Sequence, residues 1–247
     1  MNKKTNLDVV ISNKRVVLRA DFNVSIDDGK IIDDTRIRNT IPTIKYLLKN
    51  HNSLIIVSHL GRPKFEDPKF TLYPVACRLE RYLGKQVIFI NHLKVDAAIK
   101  IQKLKPGEVV LLENVRFDPG EEKNEDSYAK QIASFGDVFV NDAFASCHRA
   151  HSSTVGITKY LPSYAGLLLA KEVNFLSKVM YHPKRPVVSV IGGAKISDKI
   201  GLIQKQLDCA QTVLLGGGIA NTFLKAKGVC VGKSLFEKSA LNIARKL

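Results

Sequence analysis

Short apolar runs alternate along the chain with longer segments of helical periodicity. The runs rich in Val, Ile and Leu lie at 15–18, 54–57, 87–90, 109–112, 138–140, 187–191 and 213–215. Continuous apolar runs of this length are typical of strands buried on both faces, as in parallel sheets covered by helices. The alternation predicts an α/β fold with a doubly wound parallel sheet in three α/β/α layers, followed by the start of a second Rossmann-like domain.

Helix start and stop signals fill several of the intervals between these runs. Thr35 is a candidate cap for a first helix, and Pro42 indicates either a kink or a later start. A second helix after Thr71 has Pro74 in its first turn and Gly84 just past its end. These signals place helices between the predicted strands, as a doubly wound sheet requires.

Later in the chain, residues 124–135 are predicted to form a helix that Gly136 ends. A long helix from about 167 to 181 is followed by Pro183 and Pro186, which interrupt the pattern before the next strand. We therefore expect a first domain over 1–170, an interdomain helix and hinge over 171–185, and a partial second domain over 186–247.

Composition narrows the class of protein. The net charge is +15, from 38 Lys and Arg against 23 Asp and Glu, and it favours an anionic partner: nucleic acid, anionic lipid or a phosphorylated small molecule. The basic residues are dispersed, which argues against a nucleic-acid-binding tail. Neither a membrane span nor the apolar segment of a signal peptide occurs in the sequence, so we expect a cytoplasmic protein whose four separate cysteines are reduced.

Polar and basic side chains follow four of the predicted strands, at the point where each strand ends. These stretches are 19–25, 58–63, 113–117 and 141–153, and Arg36 lies at the start of the first helix. Because the carboxyl ends of parallel strands meet at one edge, this set is predicted to converge on one anion. The set comprises Arg36, His59, Arg62, Arg116 and Arg149. Several guanidinium groups around one site suit a phosphorylated acid.

Two strand–glycine–helix segments follow in the second domain. The first contains Gly192 and Gly193 with Lys195 and Lys199, and a solvated helix face is the alternative interpretation of the two lysines. The second contains three consecutive glycines at 216–218, which allow close approach of a flat or charged ligand. The stretch at 231–234 resembles a P-loop but has Lys227 in place of its first glycine, and the stretch at 216–221 resembles a dinucleotide fingerprint but has Asn221 in place of its third glycine. His148 and His151 lack a third partner at metal-ligand spacing.

Taken together, these motifs resemble the phosphoglycerate kinase family. They occur in the family's order and cover the chain from about residue 7 to its end. The motifs are Arg19-Ala20-Asp21-Phe22-Asn23-Val24, Ser58-His59-Leu60-Gly61-Arg62-Pro63, Leu112-Glu113-Asn114-Val115-Arg116-Phe117, Asn141-Asp142-Ala143-Phe144, His148-Arg149-Ala150-His151-Ser152-Ser153, Gly192-Gly193-Ala194-Lys195 with Asp198-Lys199, and Gly216-Gly217-Gly218.

The resemblance implies phosphoryl transfer between 1,3-bisphosphoglycerate and ADP, giving 3-phosphoglycerate and ATP, with Mg²⁺ carried by the nucleotide. It implies a substrate site of Asp21, Asn23, Arg36, His59, Leu60, Gly61, Arg62, Arg116 and Arg149. It implies a nucleotide site of Gly193, Ala194, Lys195, Lys199, Gly216, Gly217 and Gly218. Arg36 and Lys199 are expected to flank the transferred phosphoryl group as the catalytic residues. A monomer that binds neither nucleic acid nor membranes is expected.

The sequence also departs from the family pattern. Ser25, Ala145, Ser146 and Cys147 replace residues usual in the family, and they leave the charged groups unchanged. The family's acidic Trp-Asn-Gly-Pro segment and its Gly-Gly-Asp turn with the metal-binding Asp do not occur, and there is no Trp. We therefore expect a fragment whose residues 1 to about 170 fold and bind 3-phosphoglycerate, with little turnover by the chain alone.

Two functions of other classes stay open from the sequence. A basic α/β module could bind nucleic acid or phosphorylated ligands without chemistry, although dispersed charge and the lack of an aromatic stacking platform argue against it. A nicotinamide-dependent dehydrogenase could use the triple glycine. Salt-dependent DNA binding would identify the first, and cofactor fluorescence the second.

Overall fold

The computed structural model describes residues 5, 8–91, 95–181 and 183–247, with the backbone alone for 95–97. The chain divides into two compact units, residues 1–174 and 175–247. Which activity belongs to which unit, and where the functional boundary lies, stay predictions.

The first unit contains eight named strands and the helices between them. The strands are β1 Arg15–Arg19, β2 Ile26–Asp27, β3 Lys30–Ile31, β4 Ser53–Val57, β5 Ile88–Ile90, β6 Val109–Leu112, β7 Val138–Asn141 and β8 Ser163–Ala165. The helices are α1 Thr35–Lys49, α2 Tyr73–Leu83, α3 Val95–Gln102, α4 Pro119–Lys123, α5 Asp126–Ala133 and α6 Leu167–Tyr181, which continues past residue 174. Among the described helices, none is long and apolar enough to cross a membrane.

Six of these strands form one parallel sheet in the order β5-β6-β4-β1-β7-β8. Along β1, Val16 and Leu18 pack on one face with Ile44 of α1, whereas Val17 packs on the other face with Ile132 of α5. All three β1 side chains are fully buried. A strand covered on both faces explains the continuous apolar run. The predicted α/β fold with a doubly wound parallel sheet is confirmed.

The helix boundaries correct three details of the sequence interpretation. Asp34, rather than Thr35, occupies the cap position of α1, and Pro42 lies inside the helix, so that helix does not begin later. The predicted helix over 124–135 is shorter in the structure, where α5 covers Asp126–Ala133, because Asn124 adopts a left-handed conformation (φ 56°) that ends the preceding helix α4. Gly136 has no such conformation. It is required for packing, since a Cβ there would lie 2.7 Å from Val17 Cγ2.

The sequence pattern missed the hairpin β2–β3, the helix α3 and the edge strand β8. The hairpin and the edge strand are only two or three residues long and contain polar residues, so no apolar run marks them. Strand β8 is specified by its parallel pairing with β7, a partner about 25 residues away. Pairing at that separation has no local signal.

The second unit contains a two-stranded parallel sheet and three named helices. Its elements are β9 Val188–Gly192, α7 Ile200–Cys209, β10 Thr212–Gly216, α8 Gly217–Ala226 and α9 Leu241–Lys246. The core of this unit is formed by Ile191, Ile196, Ile203 and Ile219. Leu207, in the last turn of α7, is exposed. Helix α7 also begins later than expected, after one 3₁₀ turn at Ser197–Lys199.

Candidate anion-binding site

The loops after β1 and β4 are hydrogen-bonded to each other. The Phe22 N–H donates to Ser58 Oγ at 2.9 Å, and the Gly61 N–H donates to Asn23 Oδ1 at 2.8 Å. Ser58 is fully buried, whereas Asn23 is exposed. The two loops are therefore held together by one bond in the interior and one at the surface.

The loop after β6 joins this pair through the buried side chain of Asn114. Its Oδ1 accepts from the N–H groups of Leu60 (3.2 Å) and Arg116 (3.1 Å). Its Nδ2 donates to the carbonyls of Leu60 (2.8 Å) and Phe70 (3.0 Å). A single amide with its full set of partners thus fixes the main chain of two loops relative to each other.

Gly61 bonds both of the neighbouring loops, through Asn23 and Arg116, at a position where only glycine fits. Its φ is +62°, and a Cβ would lie 2.3 Å from the Phe70 ring. The Gly61 carbonyl accepts from Arg116 Nη1 at 2.6 Å. Arg116 Nε lies 3.0 Å from a carboxylate oxygen of Glu122, but without hydrogen-bond geometry. Arg116 is thereby hydrogen-bonded to the main chain and ion-paired with Glu122.

Arg19 and His59 form a buried pair beneath these loops. Arg19 Nη2 lies 3.0 Å from His59 Nδ1, and Arg19 Nε donates to Ser153 Oγ at 2.9 Å. Because a guanidinium can only donate, Nδ1 must accept, and the imidazole proton is therefore on Nε2. Burial, followed by the charges of Arg19 and Arg116, lowers the pKa of His59 to about 2. His59 is thus a neutral hydrogen-bond donor and not one of the cations of the site.

The remaining cations of the predicted set lie around this pair. Arg36 forms an ion pair with the buried carboxylate of Asp21, and its charge is among those that lower the pKa of His59. The pKa of Arg116 is lowered by burial and then by the neighbouring Arg149 and Arg62. The structure therefore brings the five predicted side chains into one neighbourhood at the carboxyl edge of the sheet.

In the second unit, the two glycine-rich loops approach each other closely. A Cβ on Gly218 would lie 2.4 Å from the Ala194 carbonyl oxygen, and one on Gly217 would lie 3.0 Å from the Gly193 carbonyl oxygen. That Gly193 oxygen accepts from the Ile219 N–H at 3.0 Å. In this structure, the glycines thus allow backbone-to-backbone packing between the loop after β9 and the amino end of α8.

The two lysines of this unit do not share a regular helix. Lys195 is exposed in the loop before the 3₁₀ turn, and Lys199 ends that turn directly before α7. The Lys199 side chain lies along Gly193, with its Cε 3.2 Å from where a Cβ on Gly193 would be. The four-residue spacing therefore does not by itself direct both ammonium groups to one point.

The backbone donors at the start of this turn are already occupied. The Glu237 carboxylate accepts from the N–H groups of Ile196 (2.9 Å) and Ser197 (3.1 Å) and from Ser197 Oγ (2.7 Å). These bonds hold the pKa of Glu237 below its usual range. A cavity of about 650 Å³ lies beside them, lined by Ala194, Lys195, Leu235, Phe236, Glu237, Lys238 and Ser239.

Comparison with known proteins decides the family. A family model described as "Phosphoglycerate kinase" matches residues 7–247. The chain belongs to the phosphoglycerate kinase family. The enzymes named phosphoglycerate kinase from Pelotomaculum thermopropionicum and Thermosipho africanus are 49% and 51% identical to it over 249 residues. Both matches cover 100% of this chain, but 63% and 62% of the relatives, so the chain spans less than two thirds of their length.

Solved phosphoglycerate kinases have the same fold. The structure from Coxiella burnetii matches with a TM-score of 0.87 at 41% identity, covering 99% of this chain and 62% of that one. The structure from Pyrococcus horikoshii OT3 matches with the same TM-score at 34% identity, covering 98% of this chain and 64% of that one.

Phosphoglycerate kinases are Mg-nucleotide enzymes, and Mg²⁺ in proteins is bound through oxygen ligands such as carboxylates. In the part of the chain that the structure describes, no group of three or more His, Cys, Asp or Glu side chains has a metal-binding arrangement. His151 Nδ1 lies 3.6 Å from a carboxylate oxygen of Glu121, and His148 is exposed. The described residues thus do not form a metal site of their own.

The sequence reasoning on the site missed the side chains that hold the phosphoglycerate kinase loops together. These are Ser58, Asn114, Glu121 and Ser153, together with the buried role of Arg19. The only signal for Ser58, Asn114, Ser153 and Arg19 was membership of the motifs that follow each strand, and Glu121 lies outside these motifs. The long-range bonds of these side chains join residues between 32 and 134 positions apart in sequence, so no local pattern shows which of them are buried.

Proposed function

We propose that this chain carries the 3-phosphoglycerate site and the first part of the nucleotide site of a phosphoglycerate kinase. The reaction is reversible phosphoryl transfer from 1,3-bisphosphoglycerate to ADP, giving 3-phosphoglycerate and ATP. The observation that carries the proposal is the buried, hydrogen-bonded arrangement of Arg19, His59 and Arg116 beneath loops that also present Arg36, Arg62 and Arg149. A cluster of several guanidinium groups suits a phosphorylated acid.

Each part of the first site has a distinct task in the proposal. Arg62, Arg116 and Arg149 bind the anionic groups, because guanidinium forks match phosphate and carboxylate oxygens. His59 donates from Nε2 as a neutral group, so it adds direction without adding repulsion. The side chains of Asp21 and Asn23 and the main chain of Leu60 and Gly61 orient the glycerate. Because Gly61 already bonds Asn23 and Leu60 already bonds Asn114, little reorganisation of the loops is needed on binding.

The nucleotide is assigned to the second unit. Lys195 and Lys199 would bind its phosphates, and the loop segments Gly193–Ala194 and Gly216–Gly218 would lie along it. Since Glu237 occupies two backbone donors of the 3₁₀ turn, the lysines supply most of the positive charge there. Mg²⁺ would arrive with the nucleotide and neutralise phosphate charge. Arg36 and Lys199 are the proposed catalytic residues, and each would stabilise charge on the transferred phosphoryl group, since phosphoryl transfer depends on positioning and electrostatics.

Calorimetry with 3-phosphoglycerate tests the substrate assignment on the 247-residue protein. We expect one site, and at least a tenfold loss of affinity in Arg62→Ala, whose side chain is exposed and whose loss leaves the buried network intact. Arg38→Ala is the matched control, because Arg38 is also exposed but pairs with Asp34 on α1. Equal affinities in Arg62→Ala and wild type, or no binding by a folded wild-type protein, would reject the assignment.

A coupled assay tests the catalytic part of the proposal. We expect little or no turnover by the 247-residue polypeptide, because the Gly-Gly-Asp turn of the family does not occur in it. Turnover at rates typical of kinases would contradict that expectation. The proposal also includes a monomeric, cytoplasmic protein without nucleic-acid or membrane partners, which light scattering and a salt titration of DNA binding would check.

A further inference from the structure

Glu121 is a buried carboxylate that no part of the proposed reaction uses. It lies in the short helix α4, and its side chain is 0% exposed, so a ligand in the anion-binding site cannot touch it. Two other carboxylates near the cluster, those of Asp21 and Glu122, differ from it. Asp21 pairs with Arg36, and Glu122 is 56% exposed beside Arg116. Glu121 is therefore the carboxylate that faces the buried side of the cluster.

The contacts of Glu121 reach Arg19 through one intervening residue, Ser153. Its Oε2 accepts from the Ser153 N–H at 2.9 Å, and its Oε1 accepts from Ser153 Oγ at 2.6 Å. The same Ser153 Oγ accepts from Arg19 Nε at 2.9 Å, and Oε1 lies 3.6 Å from His151 Nδ1. Ser153 thus connects the Glu121 carboxylate to Arg19 through hydrogen bonds, and Arg19 in turn donates to His59.

The charge of Glu121 also acts on Arg19. Burial lowers the pKa of the Arg19 guanidinium, and among the charges that oppose this effect Glu121 is the strongest. A buried cation without a nearby negative charge is costly, so the ligand-free cluster needs an internal partner. A ligand anion would later act on the same cations that Glu121 already stabilises.

We propose that Glu121 is a positioning residue that orients Arg19 through Ser153 and serves as the permanent internal counter-charge of the cationic cluster. This inference rests on the proposed 3-phosphoglycerate site and extends it to a residue that the ligand does not reach. Glu121→Gln removes the charge of this side chain but keeps its shape. The substitution should therefore destabilise the ligand-free protein and increase the stabilisation that an added anion gives.

The test compares Glu121→Gln with Ser153→Ala in the 247-residue protein. Thermal unfolding is followed without ligand, with 3-phosphoglycerate and with inorganic phosphate. For Glu121→Gln we expect a lower midpoint without ligand, a larger upward shift with either anion than in wild type, and a dissociation constant for 3-phosphoglycerate lower by roughly threefold or more. For Ser153→Ala, which keeps the charge but breaks the hydrogen-bonded connection to Arg19, we expect a smaller shift than in wild type.

Glu125→Gln is the matched control, because Glu125 is half-exposed and its one ion pair within the described part of the chain is with Lys123. It should leave all three midpoints unchanged. A merely structural role for Glu121 would lower the midpoint of Glu121→Gln and leave the anion-induced shift equal to or smaller than that of wild type. That result would overturn the inference. Should Glu121→Gln be unfolded in buffer, refolding on addition of phosphate supports the inference and failure to refold refutes it.

One arm of the experiment is independent of the substrate assignment. Added sodium chloride screens repulsion among the cations, so the ligand-free midpoint should rise more steeply with salt in Glu121→Gln than in wild type. If wild type ignores 3-phosphoglycerate but the salt effect is present, the proposed function fails and the counter-charge role stands. If wild type responds to 3-phosphoglycerate but the two salt slopes are equal, the counter-charge role fails.

Discussion

The two units of this chain build a strand–loop–helix site in different ways. In the first unit, the loops are fixed by buried side chains, with Asn114 bonding three other residues and Arg19 bonding His59 and Ser153. In the second unit, the loops are fixed by backbone packing of glycines and by one partly exposed carboxylate, Glu237. A site fixed by buried side chains tolerates little substitution, whereas one fixed by glycine packing depends on the absence of a Cβ.

The sheet of the first unit is also more deeply buried than the sheet of the second unit. Val16, Val17 and Leu18 of β1 are 0% exposed, whereas Val190 of β9 is 76% exposed and Leu214 of β10 is 52% exposed. Because burial of apolar area is the main stabilising term, the first unit should be the more stable of the two. The unit whose loops are held by buried side chains is thus also the unit whose sheet should be the more stable.

Asn114→Ala should have the largest effect on the first unit. The substitution leaves several buried main-chain groups of the loops without partners, and we expect a loss of about 3 kcal/mol in the free energy of unfolding. Affinity for 3-phosphoglycerate should fall by more than about tenfold. Chemical denaturation and calorimetry measure the two losses. Asn50→Ala is the control, since Asn50 makes one side-chain bond, to the Tyr46 carbonyl. Similar losses in the two variants would break the contrast between the units.

Hydrogen exchange compares the two sheets directly. We expect amides of β1 and β4 to exchange at least about 100-fold more slowly than those of β9 and β10, because only the first pair is covered on both faces. Mass spectrometry of peptides from each strand gives the rates. Equal protection in the two sheets would show that side-chain burial does not determine their relative stability.

Gly218→Ala tests the glycine packing of the second unit. The new Cβ would lie 2.4 Å from the Ala194 carbonyl oxygen, so the two loops must separate. We expect a loss of about 2 kcal/mol and weaker ADP binding, with 3-phosphoglycerate affinity unchanged. Gly201→Ala is the control, because nothing lies within 4 Å of its Cβ position in α7, and it should stabilise by up to about 1 kcal/mol. Retained ADP affinity in Gly218→Ala would argue against loop packing as the basis of the site.

The pH dependence of His59 gives the smallest expected effect. Its pKa falls from 6.5 to about 2 on folding, so the stability that the neutral form contributes is present above pH 6.5 and is lost as the pH falls through this window. Between pH 6.5 and 5 the loss should be about 1–2 kcal/mol. His59→Asn, which keeps an acceptor for Arg19, should remove it. His51→Asn should not, because His51 is exposed and its φ of 57° suits Asn. Identical pH profiles for His59→Asn and wild type would contradict the buried, neutral assignment.

Much of the first unit was predictable from the sequence because its signals are local. The apolar runs located the long strands to within one or two residues, and the rule that parallel strands end at one edge placed Arg36, Arg62 and Arg149 together. What the pattern could not show was which polar groups are buried. The neutrality of His59 depends on its burial beside Arg19, a residue 40 positions away.

The second unit was less predictable for a related reason. The spacing of Lys195 and Lys199 indicated a helix, but the segment contains a loop and one 3₁₀ turn. That turn is stabilised by Glu237, which lies about 40 residues further along the chain. A side chain that bonds a turn far away in sequence does not change the hydrophobic period of the residues in that turn.

The central claim is that four loops of the first unit form one site for 3-phosphoglycerate. An NMR titration of the ¹⁵N-labelled 247-residue protein tests it most directly, because each backbone amide reports separately. We expect 3-phosphoglycerate to shift amides in the loops at 20–25, 58–63, 113–117 and 142–153, including those of Leu60 and Gly61. Shifts scattered over unrelated loops, or confined to the glycine-rich loops of the second unit, would contradict the account.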